Sequence, residues 1–260
     1  MKRKAAIICP IKDEYTYIHK FLGYYRQHFS SEDIYVLDFG STDEYLKNVI
    51  GDNARVVKTD ANILDAKELF SAVRILQGNL YEKYEYVIAL DVDEFLCYLG
   101  KGGLREYIQN LKVNIVTCQG HEVIHLPFVE ESLDLNKPWM QQLKYWHTDH
   151  IHYGKTLLSR NELQWTHGFH TYIGETLENK IQRTDPNLFL VHMHKHDFNT
   201  TIARHIKWSK MKWSEDTIKS NHNYHYLEKS TQAIKEWYYR PIFDSKIYEI
   251  PQIIKENINI

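Results

Sequence analysis

Cysteine is scarce. Cys9, Cys97 and Cys118 are the only three in 260 residues, they lie far apart, and no CxxC pair exists. That excludes a disulfide framework and a cysteine zinc site. Each thiol sits in an apolar run and reads as a buried free thiol. Long apolar runs are missing too: nothing approaches the ~20 residues that a membrane span needs. The basic start, Met1-Lys2-Arg3-Lys4, imitates a secretory leader. The apolar run behind it, Ala5 to Ile11, contains Pro10 and meets Lys12-Asp13-Glu14 at once, which is too short for a leader. The expected location is cytoplasmic, with peripheral membrane contact left open. There is no excess of basic charge, since 32 Lys and Arg face 34 Asp and Glu. A protein that neutralises duplex phosphates is usually strongly basic, so a nucleic-acid partner is not expected. Repeats, low-complexity tracts and long linkers are absent. What is abundant is Tyr (19), with six Trp, and His (15). Aromatic rings stack on sugars and bases, and His binds metals, but both also fill cores.

The order of elements is more informative. Ala5 to Ile11 reads as a strand buried on both faces, as in a parallel sheet. Tyr17, Ile18, Phe21, Leu22 and Tyr25 recur at helical spacing. Ile34 to Leu37 and Ala54 to Val57 read as strands, Leu69, Val73, Leu76 and Leu80 mark an amphipathic helix, and Tyr86 to Leu90 is a fourth strand. This alternation predicts an α/β fold with a parallel sheet and right-handed crossovers. Ligands of such sheets lie beyond the carboxyl ends of the strands. Three strand ends are polar: Lys12-Asp13-Glu14, Asp38 to Asp43, and Asp91 to Glu94. They are expected to line one crevice. After residue 100 short strands are expected at 115–119, 121–126, 155–159 and 187–193, and helices from about Phe198, including one over Tyr226 to Tyr239.

Asp91-Val92-Asp93 follows directly on the fourth strand. Two carboxylates so placed can converge on one ion, and hard oxygen ligands suit Mg²⁺ or Mn²⁺, which bridge diphosphate oxygens. His192, His194 and His196 alternate along an expected strand and so should share a face. A separate zinc site is not expected, because no HExxH helix exists.

Three runs together resemble family-two-like glycosyltransferases of the GT-A fold. Ile8-Cys9-Pro10-Ile11-Lys12-Asp13-Glu14 is similar to their first strand, Leu37-Asp38-Phe39-Gly40-Ser41-Thr42-Asp43 to their hDDGSTD turn, and Ala89-Leu90-Asp91-Val92-Asp93-Glu94-Phe95 to their hDxDEF motif. Lys155 to Arg160, His167-Gly168 and Leu190-Val191-His192-Met193 resemble the later motifs of one branch. Asp13 stands where relatives have Asn, and Phe39 where many have a second acid. The resemblance implies a nucleotide-sugar-binding mixed sheet flanked by helices. The catalytic domain would span 1–197, with a nucleotide-binding half (1–97) and an acceptor half (98–197). Residues 198–260 would form a helical extension packed on it. It further implies that Asp13 and Asp38 contact the nucleoside and that Pro10 and Ile11 border the base. Lys67 would approach the donor. Asp93 would be the principal metal ligand, with Asp91 reaching ribose or metal, and a late histidine would complete the Mn²⁺ sphere: His192, with His194 next. Lys195 would neutralise the leaving diphosphate. The donor would be a UDP-sugar, and the acceptor a glycan, lipid-linked glycan or glycoprotein. An inverting reaction needs a carboxylate base, for which Glu131, Glu130 and Asp149 are candidates. The competing readings are a nucleotidyltransferase, disfavoured because residues 9–15 contain no glycine for a phosphate loop, and a non-catalytic carbohydrate-binding scaffold.

Overall fold

Strand β1 (Arg3–Ile11), β2 (Ile34–Asp38), β3 (Arg55–Lys58) and β4 (Tyr84–Ala89) pair in the spatial order β4-β1-β2-β3, all parallel. They belong to a computed structural model that describes residues 2–60, 65–148, 154–165, 172–173, 182–219, 230–244 and 247–260. The near-continuous apolar run of β1 is accounted for by burial on both faces. Ile7, Cys9 and Ile11 join one core with α1 (Ile18–Tyr25), while Ala6 and Ile8 join a second with α2 (Ala66–Leu80). Helix α1 buries Ile18, Phe21, Leu22 and Tyr25, the i, i+3, i+4, i+7 stripe of an amphipathic helix. Helix α2 begins where the Asp65 carboxylate accepts from the Glu68 amide (2.9 Å), satisfying one of the donors that a helix start leaves unpaired. Each large apolar side chain removed from water contributes roughly 1.5–3 kcal/mol, so the two cores fix the parallel half firmly.

The sheet continues with antiparallel and mixed pairing. After β5 (Glu94–Tyr98) and α3 (Gly103–Asn110) comes β6 (Ile115–Ile124), one strand where two short ones were expected. β7 (Tyr145–Thr148) pairs with β6, and β8 (Thr156–Ser159) lies antiparallel between β6 and β4, joining the two halves. β9 (Gln164–Trp165) and β10 (Tyr172–Ile173) form a separate two-stranded sheet. β11 (Gln182–Lys195) is longer than the expected 187–193. It runs antiparallel to β5 and parallel to β6.

The C-terminal part is mainly helical, with α4 (Phe198–Ser209) and α5 (Thr231–Phe243), each started by a side-chain cap, Asp197 on the Thr200 amide and Ser230 on the Ala233 amide. It also contributes β12 (Ile247–Glu249), which pairs with β7 at the sheet edge. The result is a mixed α/β sheet flanked by helices. Buried Tyr238 of α5 donates its hydroxyl to the carbonyls of His125 (2.9 Å) and Lys195 (2.7 Å), tying α5 to the ends of β6 and β11. No helix among the described residues is long and apolar enough to cross a membrane. All three cysteines are buried free thiols.

Candidate metal and nucleotide site

The carboxyl ends of β1, β2 and β4 lie side by side, and their acidic tails meet there. Buried Asp38 accepts from the Ser41 amide (3.0 Å), which folds residues 39–42 back over the end of β2. Asp13 is the one described non-glycine residue with a positive φ, 45°. That region is tolerated better by Asp and Asn than by other side chains. Its amide donates to Ser41 Oγ (2.8 Å), and its carboxylate accepts from the Thr42 amide (3.3 Å). The turns of Asp13 and Asp38 are therefore knitted together, with half-buried Pro10 and buried Ile11 directly behind them.

At the end of β4 the chain turns through Asp91 to Asp93 into β5. Register then does the work: β11 places His192 opposite Glu94, and the Met193 amide donates to the Asp93 carbonyl (2.8 Å). The His192 ring consequently stands between two acids. Its Nε2 is 3.5 Å from Asp93 Oδ1, and its Nδ1 is 3.0 Å from Glu122 Oε1. Asp93, His192 and His194 offer ligand atoms that all lie within 4.8 Å of one another. Asp93 is buried, and burial alone would raise its pKa. Arg204 and then His192 outweigh burial and hold the carboxyl well below its usual range. His192 is lowered by burial, but Asp93 and Glu122 raise it more, to about 10. His194 goes the other way: burial, with Arg204 nearby, pushes it well below its usual value and leaves a neutral imidazole. One ionised carboxylate and two imidazoles, with His192 giving up its proton on binding, are a suitable donor set for a divalent transition metal, so the residues present fit such an ion.

Other expected site residues lie elsewhere. Asp91 stands outside that ligand group, with its Oδ2 2.9 Å from the ammonium of buried Lys155. Lys155 also reaches Glu94 Oε1 at 2.5 Å. Burial lowers the Lys155 pKa, but the two carboxylates outweigh it and the net direction is up. Glu94 is pushed up by burial to about 7, with Lys155 acting against the rise. Lys195 is buried between Glu122 (3.8 Å) and the ring of Trp237 (4.2 Å), and donates to the Trp237 carbonyl (3.3 Å). Lys67 is exposed and paired with Asp216 at 2.7 Å. Glu131 is exposed at its side chain, while its carbonyl lies 2.9 Å from His125 Nε2. Buried Glu130 is engaged by the amides of Leu126 (2.6 Å) and Lys144 (2.7 Å). Asp149, His167 and Gly168 lie outside the described residues. The expectation that His196 shares a face with His192 and His194 is corrected. The register shifts between His192 and Lys195, and His196 lies past the strand end. There it stacks on Trp139 (4.4 Å) and lies 3.0 Å from the Tyr17 hydroxyl.

Four residues at the centre were not singled out from the sequence. Glu14 and Lys155 stood inside quoted motifs without a role. Glu122 and Arg204 gave no signal, because a charge inside a strand or helix is ordinary until its burial is known. Arg204 of α4 is 9% exposed and reaches both Asp93 Oδ2 (2.5 Å) and Glu14 Oε2 (3.3 Å), with its guanidinium over the Tyr17 ring. Glu122 joins His192 to His147 (3.6 Å) and Lys195.

No protein-family model matches this sequence, and no curated protein does either. Among solved structures the chain is similar to glucosyl-3-phosphoglycerate synthase from Mycobacterium tuberculosis in complex with Mn²⁺, UDP and glucosyl-3-phosphoglycerate. Identity is 17% and the TM-score 0.32, over 45% of this chain and 44% of that one. The same synthase with Mg²⁺ and UDP gives 16% and 0.33, over 45% and 44%. GalNAc-T7 with UDP, GalNAc and Mn²⁺ gives 11% and 0.41, over 93% of this chain and 57% of that one. The match thus spans less than two thirds of the length of each.

Proposed function

We propose that this chain is a metal-dependent glycosyltransferase with a GT-A arrangement. It would move a sugar, with inversion, from a UDP-sugar to a hydroxyl of a glycan, lipid-linked glycan or glycoprotein. The observation that carries the reading is the Asp93–His192–His194 group at the carboxyl end of a parallel sheet, beside the acidic ends of β1 and β2. Asp93 and His192, with His194 next, would hold Mn²⁺ or Mg²⁺. When bound, that ion offsets the negative charge that builds on a departing diphosphate. The knitted turns of Asp13 and Asp38 would accept from the nucleoside, with Pro10 and Ile11 bordering the base; Asp91 would have to leave Lys155 to reach the ribose or the metal. Lys195 and Lys67 would have to leave Glu122 and Asp216 to meet a donor. Glu131, exposed at its side chain, is the proposed base that takes the acceptor hydroxyl's proton, with Asp149 as the alternative.

The test is calorimetry of UDP and UTP with and without Mn²⁺, followed by hydrolysis of a UDP-sugar panel. UDP binding that needs Mn²⁺ and is lost in Asp93→Asn, together with slow hydrolysis of one UDP-sugar, is the expected result. A preference for UTP would favour a nucleotidyltransferase. Glycan binding with no response to UDP or metal would favour a carbohydrate-binding scaffold.

A further inference from the structure

The two ligand atoms that face each other, Asp93 Oδ1 and His192 Nε2, each belong to a side chain whose other polar atom faces a buried charged partner. Asp93 uses Oδ2 for Arg204, which is itself clamped by Glu14 and lies over the ring of Tyr17. His192 sets Nδ1 3.0 Å from Glu122 Oε1, at ion-pair distance and without the alignment of a hydrogen bond, and the second oxygen of Glu122 faces His147 and Lys195. Arg204 comes from α4 and Glu122 from β6. Neither element belongs to the strand-end turn that carries Asp93.

We infer that Glu122 and Arg204 are positioning residues for the metal pair: Glu122 fixes the His192 ring, and Arg204 fixes the Asp93 carboxylate, so that Nε2 and Oδ1 point at one place. The inference rests on the metal reading above and adds to it the means by which the ligands are aimed. The 3.5 Å gap between the two atoms is one that two ligand bonds of about 2.0–2.2 Å to a single ion can span. Arg204 and an ion would share one carboxylate without sharing an oxygen, so the arginine does not compete for the ligand lone pair. A carboxylate behind a ligating imidazole sets which nitrogen carries the proton and how the ring is turned. Asp91, two residues before Asp93, shows the alternative: its carboxylate goes to Lys155 and it stays outside the group.

The test titrates Mn²⁺ alone into the folded full chain by calorimetry. It also records the visible spectrum of bound Co²⁺, which reports ligand arrangement and is indifferent to a merely structural loss. Glu122→Gln and Arg204→Lys should each weaken Mn²⁺ binding about 10- to 100-fold and shift the Co²⁺ bands. Glu122→Asp keeps the charge and should lose less. If Glu122→Gln does not fold, Glu122→Asp and Arg204→Lys carry the test, with the same expected direction. Wild-type Mn²⁺ affinity and Co²⁺ bands in the folded variants would overturn the inference while leaving the metal reading intact, provided Asp93→Asn abolishes binding. A wild-type chain that binds neither ion would overturn both.

Discussion

Ion pairs at the protein surface and ion pairs at the strand ends have similar lengths and very different surroundings. At the surface, Arg3 meets Glu32 at 2.8 Å, and Lys67 meets Asp216 at 2.7 Å; all four side chains are 44–75% exposed. At the strand ends, Lys155 meets Glu94 at 2.5 Å and Arg204 meets Asp93 at 2.5 Å, with none of the four above 8%. Distance does not separate the two sets; desolvation does. Water already solvates an exposed pair, and salt screens it. A buried pair has given up that solvation, so removing one partner strands a charge in a poor medium. Buried charges are therefore weak support for stability and strong support for a site that needs them where they are.

The contrast is broken most directly at Lys155. Lys155→Met leaves Asp91 and Glu94 facing each other without their cation and should cost about 3–5 kcal/mol in urea unfolding. Lys155→Met with Glu94→Gln should recover a good part of that. An unchanged midpoint in the single variant would erase the distinction between the two regions.

His196 sharpens the contrast, because there burial acts on a neutral ring. Burial holds its pKa at about 4, below the 6.5 of an open chain, so the unfolded chain binds the extra proton first. Its contribution is complete above pH 6.5 and is lost as pH falls towards 4. At about 1.4 kcal/mol per pKa unit this amounts to about 3 kcal/mol. Unfolding free energies across pH 4–7 should show this slope in the wild type and a shallower one in His196→Phe.

Tyr238→Phe removes one buried hydroxyl that serves two carbonyls and should cost about 1 kcal/mol by the same urea measurement. The smallest effect belongs to the surface: Lys67→Ala should leave the thermal melting curve where it is, and a clear drop in Tm would show that exposure alone does not decide the stake.

The parallel half was legible because its signals are local. The apolar run of β1, the helical spacing from Ile18 to Tyr25 and the acidic strand ends need no knowledge of distant chain. The later half was not. β12 is three residues long, too short to show a period. β5 reads as the tail of the acidic tripeptide that precedes it. Glu122 and Arg204 acquire their meaning only from the strand and helix that arrive seventy or more positions away in the sequence. The alternation of His192, His194 and His196 was visible, but the register shift that turns His196 out of line was not.

The length and partners of β11 also bear on the order in which the chain can fold. β1 and β2 are near neighbours in sequence, whereas β11 must find both β5 and β6 across a long intervening chain. Pairings that close long loops form slowly relative to local ones. Since His192 and His194 ride on β11, the proposed metal-binding group is completed only when that strand docks. A refolding chain should therefore regain most of its parallel-half structure before it regains any affinity for Mn²⁺. Metal uptake would then act as a clock for the final closure of the sheet.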